Sequence, residues 1–211
     1  MAKILKGDFG KSSPVKGDAV SADKAIPCYQ LKLAIPFSDP LIWRTIQVPG
    51  RMTLADMHRT IQACMGWRDS DTHQFLVGKI FYQPGFGIEN YQRKPEYDEA
   101  SFQLHQLEEG MQFLFSYLYD GGDGWELQIA VEAILDPGAV GSSPVLVDGA
   151  NGCPPEEVGD IHDYQAMLAA FDDSGADPAS FSLDIGDTSG YRPYVCDQER
   201  IRRKLKTISI N

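Results

Sequence analysis

The turn between Tyr119 and Trp125 has the residue types best suited to chemistry. It reads Tyr-Asp-Gly-Gly-Asp-Gly-Trp, so two carboxylates, Asp120 and Asp123, stand among three glycines and between two aromatic rings. Carboxylates ligate divalent metals, and histidine is a frequent partner ligand. We therefore group His73 with Asp120 and Asp123 as a candidate metal set. The structural alternative is that the two aspartates only stabilise a glycine-rich turn through local hydrogen bonds.

Two residues outside the turn extend this candidate site. Arg44 follows a tryptophan and is able to bind an anion, although we expect it to pair with one of the turn aspartates. His58 stands at the edge of a helical apolar stripe. A hydrogen-bonded histidine at the boundary of the core is more typical of that position than a catalytic one.

Cys153 precedes two prolines in the motif Cys-Pro-Pro-Glu-Glu. A thiol close to a histidine and a helix N-terminus can act as a nucleophile. The adjacent Glu156 and Glu157 would raise the thiol pKa instead, so we expect Cys153 to be a small apolar anchor for its loop. The tryptophans are also more typical of core anchors than of a stacking platform. The whole candidate binding surface consists of Arg44, His58, Trp67, His73, Tyr119, Asp120, Asp123, Trp125, Cys153 and Glu156.

The spacing of the histidines gives little support to a bound metal. No two of them have the i, i+4 spacing of a helical zinc pair. The pattern therefore favours a protein without a cofactor. A divalent metal held by His73, Asp120 and Asp123 is the alternative.

Hydrophobic periodicity predicts the elements that position these residues. Tyr29–Ile35 and Ile42–Val48 have the character of two strands joined by a proline-containing turn, and a helix follows, capped by Thr53 and ending at Gly66. The run from His73 to Tyr82 is apolar on both faces and predicts a central strand. Phe113–Leu135 contains alternating residues on both sides of the glycine-rich turn and predicts a hairpin.

The C-terminal third is richer in loops. Residues 136–152 contain Pro, Gly, Ser and Ala, a helical patch around Tyr164 to Phe171 follows, and a last helix begins near Asp197. The order strand, strand, helix, strand, strand, strand predicts an α+β fold, with one helix across a mixed sheet in a β-grasp-like outline and with C-terminal helices. We expect residues 1–27 to be a flexible leader and 28–211 a single domain, in which 136–211 is a loop-rich helical extension.

Composition narrows the classes of partner. The chain has 211 residues, 43% of them hydrophobic, and a formal charge of −11. Residues 1–27 and 200–206 together contain ten Lys and Arg and three Asp. The rest of the chain therefore contains 9 Lys and Arg against 27 Asp and Glu. Such an acidic protein repels phosphate backbones, so nucleic acid is an unlikely partner. The sequence shows no membrane span and no secretory signal, and it has four scattered cysteines, so we expect free thiols and a cytoplasmic location.

Several motifs together resemble one protein family. They are Ile42-Trp43-Arg44 before Val48-Pro49, Leu54 to His58, Gly66-Trp67 with His73 and Phe75, Asp98-Glu99, the Tyr119 to Trp125 turn, and Cys153-Pro-Pro-Glu156-Glu157-x-Gly159. In this order they resemble the plasmid pRiA4b open-reading-frame-three-like family, over roughly Tyr29 to Phe171. The resemblance implies a compact α+β domain of unknown role, in a family some of whose members carry a resolvase label.

The chain departs from the family pattern at two places. Leu127 stands where members commonly have a histidine, and His73 stands alone where the family usually has His-x-His. Both departures reduce the number of histidines in any shared site. The function we expect is a non-enzymatic module that binds an unknown protein or small ligand, with a possible link to plasmid or mobile-element biology. The alternatives are a divalent-metal-dependent hydrolase, with Glu156 as general base, and a nucleic-acid-associated protein.

Overall fold

The computed structural model describes residues 25–85, 97–107, 114–121, 124–174 and 191–210. All but the last three residues of the predicted leader, and also Asp123, lie outside these ranges. The strands are β1 (Cys28–Ile35), β2 (Ile42–Pro49), β3 (His73–Val77), β4 (Ile80–Tyr82), β5 (Leu114–Tyr119), β6 (Trp125–Leu135) and β7 (Val145–Ala150). The α-helices are α1 (Leu54–Met65), α2 (Ile161–Ser174) and α3 (Gln198–Leu205), and short 3-10 helices cover Glu99–Ser101, Leu104–Leu107 and Glu156–Val158.

All seven described strands form one sheet in the order β4-β3-β5-β6-β1-β2-β7. The predicted α+β class is confirmed. Each pair of neighbouring strands is antiparallel, whereas the sequence had predicted a mixed sheet. The reason is that hairpins join β1 to β2, β3 to β4 and β5 to β6, while α1 connects β2 to β3, which run in the same direction but are separated by three strands.

Helix α1 begins and ends where the sequence predicted. The Thr53 side chain accepts a hydrogen bond from the backbone of Asp56, whose carboxylate in turn accepts from the Thr53 backbone, which completes a capping box. Gly66 ends the helix with φ of 85°, a left-handed conformation that glycine adopts without steric cost. The apolar stripe of α1, including Leu54, Met57 and Ile61, is fully buried and packs in the core.

The structure corrects the prediction of one central strand over His73–Tyr82. The run divides at Gly78, where φ is 64°, into β3 and the short β4. Strand β4 is the last strand at its edge of the sheet, and Ile80 and Phe81 are partly exposed there. The run is therefore apolar on both faces because it contains an edge strand with exposed apolar side chains, and only β3 is interior.

The region predicted as a loop, 136–152, contains strand β7. Strand β7 pairs with β2 and buries Leu146, while Val145 and Val147 remain about half exposed. The alternation of apolar and polar residues in this short strand was not recognised, because glycine, serine and proline flank it. The last helix was predicted correctly: α3 packs on α1 and β7, and Ile201 and Leu205 enter the core. Within the described ranges, no helix is long and apolar enough to cross a bilayer.

Candidate functional site

The three aromatic residues of the predicted surface lie in the core. Tyr119, Trp125 and Trp67 are at most 4% exposed. The ring of Trp67 stacks on Tyr119 with 5.1 Å between centroids, and Trp125 lies at 5.9 Å from Trp67 in a tilted arrangement. These rings form an inner wall, and Trp67 also borders the cleft described below.

Glu156 connects the end of β5 to two loops. Its carboxylate accepts hydrogen bonds from Tyr119 Oη, from the backbone N of Arg68 at 2.9 Å and from that of Ser70 at 3.2 Å. In the same region, Trp67 Nε1 donates to the Pro154 carbonyl at 3.1 Å. Burial by itself would raise the pKa of Glu156, but these donors outweigh it and hold the pKa below its ordinary value. Glu156 is therefore an ionised structural group, and its three donors make it a poor general base.

Asp120 has the geometry of a turn residue. It is exposed, its φ is 65°, and its backbone N donates to the Thr72 carbonyl at 2.9 Å. A side chain at Gly124 would meet the carbonyl oxygen of Tyr119 at 2.3 Å, so that position requires glycine. Asp123 lies outside the described residues. Asp120 is not among the metal-ligating residues that the described structure brings together.

A cleft of about 1000 Å³ opens beside this inner wall. Its walls come from the C-terminal end of α1, the 152–157 segment, and residues 191–204 before and within α3. Four residues of the predicted surface line it, namely Arg44, Trp67, Cys153 and Glu156. The cleft thus collects residues that are far apart in sequence.

Arg44 is buried in the wall of the cleft at 2% exposure. Its Nη1 donates to the carbonyls of Trp43 and Ala150, each at 2.7 Å, and its Nη2 donates to the Asn151 carbonyl at 2.8 Å. Nη2 is also 3.4 Å from the Cys153 sulfur, a weak acceptor, and Nε has no partner among the described residues. Among the described residues, Arg44 does not pair with the turn aspartate Asp120, because β2 directs it towards β7.

Three thiols surround this guanidinium and remain protonated. Burial raises the pKa of Cys64 to about 12 and that of Cys153 to about 11, although Arg44 opposes the shift in both. Burial also raises the pKa of Cys196. Cys153 Sγ packs 2.9 Å from Met65 Sδ. A protonated, packed thiol is a poor nucleophile, which agrees with the anchoring role expected for Cys153.

The two histidines of the predicted surface form a second cluster. His58 is on α1, and His73 is the first residue of β3. The rings of His58 and His73 stack with centroids 3.6 Å apart and planes 6° from parallel. His58 Nε2 is 3.0 Å from Asp69 Oδ1, and His73 Nε2 is 2.9 Å from Glu99 Oε2. Burial lowers the pKa of His58, and so does its neighbour His73, while Asp69 acts in the opposite direction.

Sequence reasoning missed two carboxylates of this cluster. Asp69 is in the loop after α1 with φ of 60°, and Glu99 begins a short 3-10 helix. Glu99 belongs to the Asp98-Glu99 motif, but nothing in the sequence indicated that it meets His73. The position of Asp69 between His58 and His73 was the available signal, because a polar loop that joins two histidine-bearing elements lies near both.

The class is an α+β fold with one antiparallel sheet and a capped helix beside it. Its candidate sites are a cleft with a buried arginine and a neighbouring histidine cluster. The chain belongs to the plasmid pRiA4b ORF-3-like protein family, whose model matches residues 27–200. It is 30% identical over 183 residues to the uncharacterized protein y4hQ of Sinorhizobium fredii, covering 85% of this chain and 91% of that one. A crystal structure of a protein of unknown function from Methanosarcina mazei shares the fold, with a TM-score of 0.65, 28% identity and coverage of 84% of this chain and 98% of that one.

Proposed function

We propose that the chain is a non-enzymatic binding module whose cleft takes a small ligand through an anionic group. The observation that carries this proposal is the charge of Arg44, which is buried and has no ionised partner among the described residues. Burying a guanidinium is costly unless an opposite charge or good acceptors compensate. The carbonyls satisfy most of its donors, but they leave the net charge in place.

The neighbouring groups do not neutralise this charge. The cleft thiols are protonated, since burial raises the pKa of Cys64 and Cys153 well above neutral pH. Glu156 is occupied by Tyr119 and two backbone donors. Glu157 pairs with Arg68, and Asp197 accepts from the backbone N of Arg200 at the start of α3. These three carboxylates are thus already engaged, and the fourth carboxylate of the wall, Glu199, is exposed on α3.

The outer part of the cleft adds positive charge. Arg192, Arg200 and Lys204 line it together with Arg44, and they outnumber the two carboxylates there, Asp197 and Glu199. Partial burial lowers the pKa of Lys204, and the nearby Arg200 lowers it further, which shows that like charges are grouped there. In a chain with a formal charge of −11, such a local cationic region favours a carboxylate or phosphate group over a neutral ligand.

The place where the anion would bind follows from the weakest contacts of Arg44. Nε has no partner among the described residues, and one Nη2 donor faces the sulfur of Cys153. A carboxylate or phosphate accepting from these two donors would replace a poor contact and satisfy an orphaned one. Cys153 must move slightly to admit it, which its position on a loop allows.

The clustered free thiols also favour a reducing compartment, so we propose a cytoplasmic location for the protein.

The alternatives receive less support. A hydrolase based on His73, Asp120 and Asp123 needs a general base, but Glu156 already accepts three hydrogen bonds and Asp120 faces solvent. Nucleic-acid association would depend on the basic residues of α3 against a strongly acidic molecule. A link to plasmid or mobile-element biology rests on the name of the family alone.

The test is a titration of the full-length protein with two probes, inorganic phosphate and citrate, followed by thermal unfolding and calorimetry. Ligands that bind only the folded state raise the unfolding midpoint. We expect the wild type to be stabilised and Arg44→Met to bind the better probe at least about tenfold more weakly, since one lost charged hydrogen bond costs about 1.5–3 kcal/mol. Arg59→Met, at an exposed position of α1, is the matched control and keeps full binding.

The proposal would be overturned if Arg44→Met bound the probe as well as the wild type does. It would also be overturned if neither probe stabilised the wild type at about 10 mM, a concentration that detects even weak sites. If Arg44→Met does not fold, the double variant Arg200→Gln, Lys204→Gln replaces it, because both side chains belong to the outer wall. Loss of binding in that variant supports the cleft, and unchanged binding contradicts it.

A further inference from the structure

We propose that His58, Asp69 and His73 form a binding site for a divalent transition metal of the zinc class. One ligand atom from each of these residues lies within 4.8 Å of the other two, the single such group among the described residues. The site is separate from the Arg44 cleft and independent of the proposed anionic ligand. It also differs from the set that the sequence predicted, since Asp69 and His58 take the places of the turn aspartates.

The chemistry of the donors matches zinc. Two imidazole nitrogens and one carboxylate oxygen are typical protein ligands of this ion, at roughly 2.0–2.2 Å. Ligand atoms of a tetrahedral zinc then stand roughly 3.3 Å from one another. His58 Nε2 and Asp69 Oδ1 are already 3.0 Å apart, so only His73 must approach.

Each histidine is held through its other contacts as a metal ligand usually is. His58 Nδ1 is 2.8 Å from Tyr117 Oη, and His73 Nε2 is 2.9 Å from the Glu99 carboxylate. Hydrogen bonds of this kind fix the orientation of ligating imidazoles and increase their basicity. An ion would therefore take His58 Nε2, which now contacts Asp69 Oδ1, together with one nitrogen of His73.

Gln62 joins this outer shell to the loop. Its Nε2 donates to Tyr117 Oη at 3.1 Å, and its Oε1 accepts from the backbone N of Asp69 at 3.1 Å. One buried amide therefore positions both the partner of His58 and the carboxylate-bearing residue. A hydrogen-bonded shell of this kind is what distinguishes a built site from a chance meeting of side chains.

The site has a path for entry. The side chain of Asp69 is 58% exposed, while those of His58 and His73 are 6% and 7% exposed. An ion can thus reach the carboxylate from solvent and be passed to the imidazoles. Three protein ligands leave a coordination position for water.

The competing interpretation is a polar network that only stabilises the core. Stacked rings present their nitrogens side by side, so a metal at the edge of the stack requires each ring to tilt towards it. The network interpretation needs no tilt and predicts no metal affinity. The two interpretations therefore differ in a measurable quantity.

The experiment uses the full-length protein without a histidine tag, treated with a chelator and dialysed. Zinc affinity is measured by competition with a chromophoric chelator, and Co²⁺ is added separately because protein-bound Co²⁺ gives visible absorption that reports its ligands. Asp69→Asn and His73→Gln are the test variants. Asp71→Asn in the same loop and His162→Gln on α2 are matched controls at exposed positions.

We expect one zinc per chain, a Co²⁺ spectrum with nitrogen and oxygen ligation, and a loss of at least about tenfold in zinc affinity in both test variants. Both control variants should match the wild type. A wild type that binds no zinc, or one whose zinc affinity survives Asp69→Asn and His73→Gln, would establish the polar network and overturn the metal site. If His73→Gln does not fold, Asp69→Asn decides, because its side chain is mostly solvent-exposed. Arg44→Met should retain zinc binding, so failure of this proposal is distinguishable from failure of the anion proposal.

Discussion

Glu156 shows how a single carboxylate can serve a site without taking part in chemistry. Its side chain is 4% exposed and accepts from Tyr119 Oη and from the backbones of Arg68 and Ser70. These donors stabilise the ionised form more than burial destabilises it, so the pKa lies below its ordinary value. A carboxylate with a lowered folded-state pKa stabilises the fold above its unfolded-state pKa, and this contribution is lost as the pH falls through the folded-state pKa.

We predict that Glu156→Gln lowers the free energy of unfolding by about 1–3 kcal/mol at neutral pH, since charged hydrogen bonds become neutral ones. The difference from the wild type should shrink as the pH falls from about 5 to about 3, where the wild-type carboxylate also becomes protonated. Urea unfolding at several pH values measures both effects. Glu126→Gln, at an exposed position of β6, is the control. A difference that does not change with pH would contradict the assigned role.

Single residues also mark the limit of what the sequence could predict. The expectation of a core-boundary histidine fits His58, because an apolar stripe is a local signal that positions a side chain on a helix face. The approach of Asp69 and Glu99 to the two histidines depends on a loop with positive φ and on a bridge between distant segments. Neither is encoded by the periodicity of adjacent residues, so the cluster could not be assembled from spacing alone.

Among the elements, β2 and β7 approach each other so closely that Arg44 has little room. A Cβ added at Gly149 would lie 2.7 Å from Arg44 Cδ, 3.0 Å from the Trp43 carbonyl oxygen and 3.3 Å from Cys196 Sγ. The backbone of β7 is thus part of the socket that holds the guanidinium. The strand shapes the cleft even though it contributes no charged group to its wall.

We predict that Gly149→Ala destabilises the fold by about 1–3 kcal/mol through overpacking and weakens binding of the better anionic probe by displacing Arg44. Gly141→Ala is the matched control, because nothing lies within 4 Å of a Cβ added there. That control should leave binding intact and keep or slightly raise stability, by about 0.4–1 kcal/mol at most. Chemical unfolding and calorimetry with the same probe measure the two quantities. Normal binding of the probe by Gly149→Ala would show that the position of the Arg44 side chain does not depend on packing against β7.

The elements differ in how well the sequence predicted them. The capping box of α1 and the two long hairpins were predicted because their signals are local and repeat over many residues. Strand β7 was missed because a six-residue edge strand exposes one face, and its flanking glycines, serines and proline are typical of loops. The antiparallel order of the whole sheet depends on the pairing of β1 with β6, for which no short-range pattern exists.

At the scale of the whole molecule, the charge around the cleft differs from the net charge of the chain. The chain carries −11, yet basic side chains collect at the cleft and along α3. Phosphate-rich polymers respond to the field of the whole surface, whereas a small anion responds to the groups within a few ångströms. We therefore expect the same protein to bind a small anion and to repel DNA.

We predict that the protein does not retard a short DNA duplex at about 0.15 M salt, because net negative charge opposes the phosphate contacts that dominate non-specific binding. A gel-shift titration over several salt concentrations measures this, with Arg202→Gln, Arg203→Gln as the comparison on the exposed face of α3. A shift that this double variant abolishes would restore the nucleic-acid alternative.

The interior position of β1, between β6 and β2, has a consequence for how the chain folds. Strand β1 meets β2 through a short turn, but its other neighbour is β6, where Cys28 stands opposite Leu135. Strand β1 is therefore synthesised early, but one of its edges stays unpaired until β6 is synthesised much later. Sheets dominated by such distant pairings have high contact order and fold slowly, so on the ribosome the centre of this sheet is completed only after most of the chain has emerged.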